Sequence, residues 1–195
     1  MKDITIFENF INDEELEEAR QFMCVPGTVC KSTHNGQKVT DWFFNTDDKC
    51  DKKFIFDVTG EWIPTPSAQN FITKIQNKIE KYTNAKVDIF RTYLNRQKYG
   101  QNGSLHTDDL RVGSYTLLIY IGDITPENYD KAGGDLEFKN KENTRIEPFT
   151  KRAVLFRGCI PHQAYAPLVP GITRISFAFK FFCVSEKLPF TVKYS

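Results

Sequence analysis

The chain has 195 residues, with 26 Lys and Arg against 25 Asp and Glu, for a formal net charge of +1. That length suits one domain that buries enough surface to do without disulfides or a structural metal. Hydrophobic content of 40% and charged content of 26% exclude a disordered chain. The near-neutral balance removes the electrostatic case for a dedicated nucleic-acid binder.

The apolar runs are short: even residues 175–182 are broken by Ser176 and Lys180, which argues against a membrane-spanning helix. Residues 1–9 carry acids where a secretory leader needs an apolar run. Five cysteines, an odd number with no C-x-x-C spacing, suit reduced thiols in a cytoplasmic protein.

In chain order, Ile4-Thr5-Ile6-Phe7 reads as a short strand. Asn12 then caps a helix, Glu15 completes a capping box, and Ile11 and Leu16 stand where a hydrophobic staple pairs them. Leu16, Ala19, Phe22 and Met23 form its apolar stripe, with Asp13, Glu14, Glu17 and Glu18 toward water. Residues 24–66 read as irregular, punctuated by Pro26, Pro64 and Pro66, with strands around Trp42 to Phe44 and Phe54 to Phe56. Ser67 opens a second helix with Ala68, Phe71, Ile72, Ile75 and Ile79 at helical spacing. Its Lys74, Lys78 and Lys81 read as a solvated face.

From Val87 onward the sequence turns to strands, at residues 87–94, 115–121, 136–138, 153–156 and 172–182, with Gly, Asn and Pro in the gaps. The layout is α+β and mainly β: a helical and irregular part at 1–86, then a sandwich or barrel at 87–183 with the helices packed on one sheet. The last strand alternates sharply. Ile175, Phe177, Phe179 and Phe181 share one side, and Arg174, Ser176, Ala178 and Lys180 share the other. Such a strand packs on helices with one face and lines a polar cavity with the other.

Only three histidines are present. His34 lies in a turn-rich stretch and reads as a surface residue. His106-Thr107-Asp108 is an H-x-D, and on an extended strand its imidazole and carboxylate share a face and can reach one ion. The signal is weak alone, and Asp109 replaces Asp108 only if the strand breaks there. His162 follows the 153–156 strand after a Gly-Cys-Ile-Pro turn. Two histidines and one carboxylate from separate strands can form the facial triad of a non-haem Fe(II) site, which leaves coordination positions open. The plain alternative is a hydrogen-bonded turn histidine beside an unrelated H-x-D. Arg174, if enclosed, needs a carboxylate partner, because an unpaired buried charge is costly. That partner is either a bound ligand, gripped with help from the Tyr120 hydroxyl, or an internal acid in a structural salt bridge.

Taken in order, His106-Thr107-Asp108, Tyr115 to Ile121, Gly133-Gly134-Asp135-Leu136-Glu137-Phe138, Ala153-Val154-Leu155-Phe156, His162 and Arg174-Ile175-Ser176 resemble the 2-oxoglutarate/Fe(II)-dependent dioxygenases. The likeness is greatest to their prolyl 4-hydroxylase-like branch, and it covers about residues 87–182. It implies a double-stranded β-helix (jelly-roll) core with Fe(II) on His106, Asp108 and His162. It implies that Arg174 and Tyr120, with Ser176 beside them, bind the distal carboxylate of 2-oxoglutarate, and that Tyr93 lines the cosubstrate pocket. The implied reaction uses dioxygen to hydroxylate an unactivated C–H bond, releasing succinate and carbon dioxide, with L-ascorbate as a candidate reductant. A prolyl residue in a peptide or protein is the implied substrate. Collagen-type members often carry Lys where Arg174 stands, so Arg here is closer to the oxygen-sensing type.

Three rival readings differ in what they leave unexplained. Demethylases of the AlkB type carry a second Arg where this chain has Lys180, which makes nucleic acid a poor match. A non-catalytic, cupin-like metal-binding or ligand-binding module gives Arg174 and Tyr120 no shared task. A cysteine nucleophile at Cys159 beside His162 has little support, since a small thiol in a turn is more often buried packing. The segments 28–53 and 95–104 are expected to border the site, with residues 99–103 either a mobile closing loop or a plain surface hairpin.

Overall fold

A computed structural model describes residues 3–25, 28–30, 42–45, 49–57 and 62–184. The elements run β1 (Ile4–Phe7), α1 (Asp13–Cys24), β2 (Thr28–Cys30), β3 (Phe43–Asn45), β4 (Cys50–Asp57) and β5 (Trp62–Pro64). Then come α2 (Pro66–Thr83), β6 (Val87–Gln97), β7 (Ser114–Tyr120), α3 (Tyr129–Ala132) and β8 (Leu136–Phe138). The series closes with β9 (Arg145–Ile146), β10 (Ala153–Arg157), β11 (His162–Ala164) and β12 (Arg174–Cys183).

The start of α1 is the capping box that the sequence spells. Asn12 Oδ1 accepts from the Glu15 N–H at 2.8 Å, and Glu15 Oε2 accepts from the Asn12 N–H at 2.9 Å. The second helix starts one residue before the expected Ser67. Thr65 is its N-cap, and Pro66 takes the first helical position, where its missing N–H costs nothing. Within 24–66 the described residues hold β2, β3, β4 and β5, where strands were expected only around Trp42 to Phe44 and Phe54 to Phe56.

Among the described residues all pairing between strands is antiparallel, in two sheets. The large sheet has the order β1-β10-β7-β12-β6-β4-β5-β2, with β3 on β4, and the small sheet has the order β11-β8-β9. Side chains alternate across the large sheet and feed two cores. Leu94, Leu117, Ile119, Phe177, Phe179 and Phe181 pack with Leu16, Phe22, Phe71 and Ile75 of the two long helices. Tyr93, Leu118, Tyr120, Phe156 and Ala178 face inward onto Leu136, Phe138 and Ile146 of the small sheet. The helices therefore cover one face of the large sheet, and the other face encloses the site. Among the described residues no helix is long and apolar enough to cross a membrane.

Candidate functional site

The floor of the site is set by strand register. Along β12, Arg174 stands opposite Gln97, Ser176 between Asn95 and Tyr120, Ala178 between Tyr93 and Leu118, and Lys180 opposite Thr116. The alternation at 174–181 thus sorts residues as expected, with phenylalanines toward the helices and the polar set inward.

His106 and Asp108 reach the floor by a different route from the expected strand. His106 forms only an isolated bridge with His162, each backbone N–H donating to the other's carbonyl at 3.0 and 2.9 Å. The N–H groups of Asp108 and Asp109 then both donate to the Gly158 carbonyl, at 2.8 and 3.1 Å. This turns Asp108 inward. Asp109 turns out to Arg111, at 2.6 Å, so the break in extended backbone does not exchange the two acids.

Donor atoms of His106, Asp108 and His162 all lie within 4.8 Å of one another, so the three can hold one metal ion. His106 Nε2 is 3.6 Å from Asp108 Oδ1, and His162 Nε2 is 3.8 Å from Oδ2. Each imidazole Nδ1 lies 2.9 Å from a backbone carbonyl, of Ser104 for His106 and of Ile160 for His162. A carbonyl only accepts, so each Nδ1 carries a hydrogen and Nε2 is the atom aimed at the carboxylate. Burial pushes the pKa of His162 down, against the pull of Asp108, which leaves its ring neutral near pH 7. Its Nε2 lone pair then faces a carboxylate oxygen, acceptor to acceptor. A cation between them resolves that arrangement.

Two residues outside the expected set hold the carboxylate. Thr116 Oγ1 donates to Asp108 Oδ2 at 2.6 Å, and Lys180 Nζ donates to Oδ1 at 2.7 Å. Burial alone would raise the carboxyl's pKa, but its contacts, the Lys180 ammonium above all, outweigh it and hold it far below the usual range. Burial would lower the Lys180 pKa, yet the Tyr93 phenol and the Asp108 carboxylate more than offset it.

At the other end of the pocket, Arg174 is 2% exposed and Tyr120 fully buried. The guanidinium donates to Gly134 O at 2.9 Å, Gln97 Oε1 at 2.8 Å and Tyr120 Oη at 3.3 Å. Among the described residues, no carboxylate lies within ion-pairing distance of it, so the structural salt bridge weighed for Arg174 is not formed there. Ser176 Oγ, beside it, is buried with no hydrogen-bond partner. Tyr93 lines the same pocket between the two ends, with the Lys180 ammonium 5.4 Å from its ring centroid.

His106, Asp108, His162, Tyr93, Arg174 and Ser176 therefore line one pocket, with Tyr120 joined to it through Arg174, and Cys50, Lys52, Asn95, Gln97 and Gly103 also line it. Asn95 and Gln97 continue the alternation begun by Tyr93, because β6 runs to Gln97 rather than ending at Leu94. The turn beyond it is pinned: Gly103 N–H donates to Ala164 O at 2.8 Å, and Asn102 Oδ1 accepts from the Ala166 N–H at 2.9 Å. These contacts hold Asn102 and Gly103 against Ala164 and Ala166, and the segment joins β6 to β7, which are not neighbours in the sheet. His34 lies outside the described residues.

No protein-family model matches the sequence, and no curated protein matches it either. Solved structures do. A Trichoplax adhaerens prolyl hydroxylase, in complex with a peptide from the oxygen degradation domain of hypoxia inducible factor, aligns with a TM-score of 0.65 at 16% identity, over 94% of this chain and 84% of that one. A Burkholderia pseudomallei oxidoreductase of the 2OG-Fe(II) oxygenase family gives 0.65 at 10% identity, over 92% and 85%. A viral collagen prolyl hydroxylase from Paramecium Bursaria Chlorella virus-1, bound to 2-oxoglutarate, gives 0.60 at 16% identity, over 93% and 97%. The chain is thus a mainly β protein with the double-stranded β-helix fold that the 2-oxoglutarate/Fe(II) oxygenases share.

Proposed function

We propose that this protein is a 2-oxoglutarate- and Fe(II)-dependent dioxygenase that hydroxylates a C–H bond, with a prolyl residue of a peptide or protein as its substrate. One observation carries the reading. The pocket holds a converging set of metal-type acceptors at one end and, at the other, a buried guanidinium with no carboxylate of the described residues within ion-pairing distance. An enclosed cation left without a counter-charge costs several kcal/mol. The two ends together suit a small anion that chelates a metal and carries a second carboxylate.

In this reading His106, Asp108 and His162 hold Fe(II) and leave coordination positions open. Arg174 has two N–H bonds beyond its three protein contacts, and these, with Tyr120 and the unpartnered Ser176 hydroxyl, take the distal carboxylate of 2-oxoglutarate. Loaded with 2-oxoglutarate and dioxygen, the iron supplies the oxidising power for hydroxylation, and succinate and carbon dioxide are released. The protein's own work is placement. Thr116 and Lys180 fix the carboxylate, Leu118 and Leu136 give the pocket apolar walls, and the neutral ring of His162 keeps its donor atom free of a proton.

The peptide substrate is proposed from the likeness to the two prolyl hydroxylases, and the cytoplasm from an odd number of cysteines with no C-x-x-C spacing. A cupin-like binding module would leave the Arg174 charge without a purpose. The deciding experiment measures succinate formed from 2-oxoglutarate with and without Fe(II), in wild type and His106→Ala, alongside mass spectrometry of proline-containing peptides for one added oxygen. Iron-dependent succinate that disappears in the variant supports the reading. Succinate formation unaffected by His106→Ala rejects the metal site.

A further inference from the structure

Among the described residues, Arg174 is oriented by uncharged groups: a backbone carbonyl, a phenol and one side-chain amide. The amide belongs to Gln97, which is 2% exposed. Its Nε2 donates to Gln101 O at 2.9 Å and to Ala164 O at 3.1 Å, and its Oε1 accepts from Arg174 at 2.8 Å. An amide carries its donor and acceptor at two ends of one rigid plane. Anchoring the NH2 on two carbonyls therefore fixes the oxygen toward the guanidinium.

A glutamate has almost the same shape and would bind Arg174 more strongly as a charged acceptor. It would also neutralise the guanidinium internally and turn a carboxylate oxygen toward the carbonyls of Gln101 and Ala164. The amide gives orientation without neutralisation.

We propose that Gln97 is a positioning residue that aims Arg174 while leaving its charge available to the distal carboxylate of 2-oxoglutarate. The inference rests on the cosubstrate reading of Arg174 given above. It also links the cosubstrate pocket to the chain around it, because Gln101 belongs to the pinned turn and Ala164 to β11.

The test compares binding of 2-oxoglutarate and of 2-oxobutyrate, a keto acid without the distal carboxylate, by calorimetry on the Mn(II)-loaded protein. The variants are Gln97→Glu, Gln97→Met and Arg174→Gln. Gln97→Glu is expected to weaken 2-oxoglutarate by more than about tenfold and leave 2-oxobutyrate within about twofold of wild type. Gln97→Met, which keeps the volume and removes the acceptor, is expected to weaken 2-oxoglutarate by about threefold or more, again without affecting 2-oxobutyrate. If Gln97→Glu does not fold, Gln97→Met decides the question. Loss of 2-oxoglutarate in Arg174→Gln with both Gln97 variants at wild-type affinity would overturn the role of Gln97 alone. Equal weakening of both keto acids would overturn it too, as a general collapse of the pocket. Unchanged binding in Arg174→Gln would bring down the cosubstrate reading and this inference with it.

Discussion

Lys180 and Asp108 form a buried ion pair, 2.7 Å from Nζ to Oδ1, with side chains 9% and 4% exposed. Lys180 reaches the carboxylate because the β12 register places it opposite Thr116, which binds the other carboxylate oxygen. Both oxygens of the candidate ligand are thereby held before any ion arrives.

Removing one member of a buried pair leaves the other uncompensated, at a cost of about 3–5 kcal/mol. Lys180→Met is expected to destabilise the metal-free protein by about 3 kcal/mol, and Mn(II) should restore part of the loss by serving as the counter-charge. Urea denaturation of both proteins with and without Mn(II) checks this. An equal gain from Mn(II) in wild type and variant would contradict it.

Gly158 controls the backbone of the H-x-D. A Cβ there would sit 2.9 Å from Ser114 Oγ and 3.0 Å from Asp109 O, so the segment whose N–H groups its carbonyl receives must shift. Gly158→Ala is expected to lower metal affinity by about ten- to a hundredfold, as loss of outer support does at metal sites, while the circular dichroism spectrum is retained. Titration of Mn(II) against a chelating dye gives the number.

Glu137 lies on the small sheet, opposite Gln163. The Tyr165 hydroxyl at 2.7 Å, then Lys139 at 2.9 Å and Arg145 at 3.3 Å, hold its carboxyl down at about 2. A lowered folded-state pKa gives stability that is complete above the unfolded value of about 4.5 and is lost as pH falls toward about 2. The stability difference between wild type and Glu137→Gln should therefore shrink steadily over that window. A difference that stays constant with pH would show that the contacts act without charge.

Local rules carried the sequence reading a long way. The Asn12–Glu15 box and the two-sided last strand depend on residues whose spacing speaks directly, whereas the grouping of His106, Asp108 and His162 came from the ordered resemblance. What escaped depends on partners. Thr116, Lys180 and Gln97 matter because of what stands opposite them on another strand, and register is a property of the assembled sheet. Within 28–64 the strands around Trp42 to Phe44 and Phe54 to Phe56 were legible, whereas β2 and β5 escaped because each is three residues long and they lie toward the sheet edge, with Pro64 in β5. The H-x-D was legible as a pair but not as a turn, since its geometry comes from the Gly158 carbonyl downstream in the chain.

The alternation along β12 has a consequence for how this protein can change over generations. Loss or gain of a single residue near Ser176 would drive Phe177 into the cavity and Lys180 into the greasy layer beneath the helices. Point substitutions can retune this strand one position at a time, but shifts in its length would dismantle chemistry and scaffold in the same stroke.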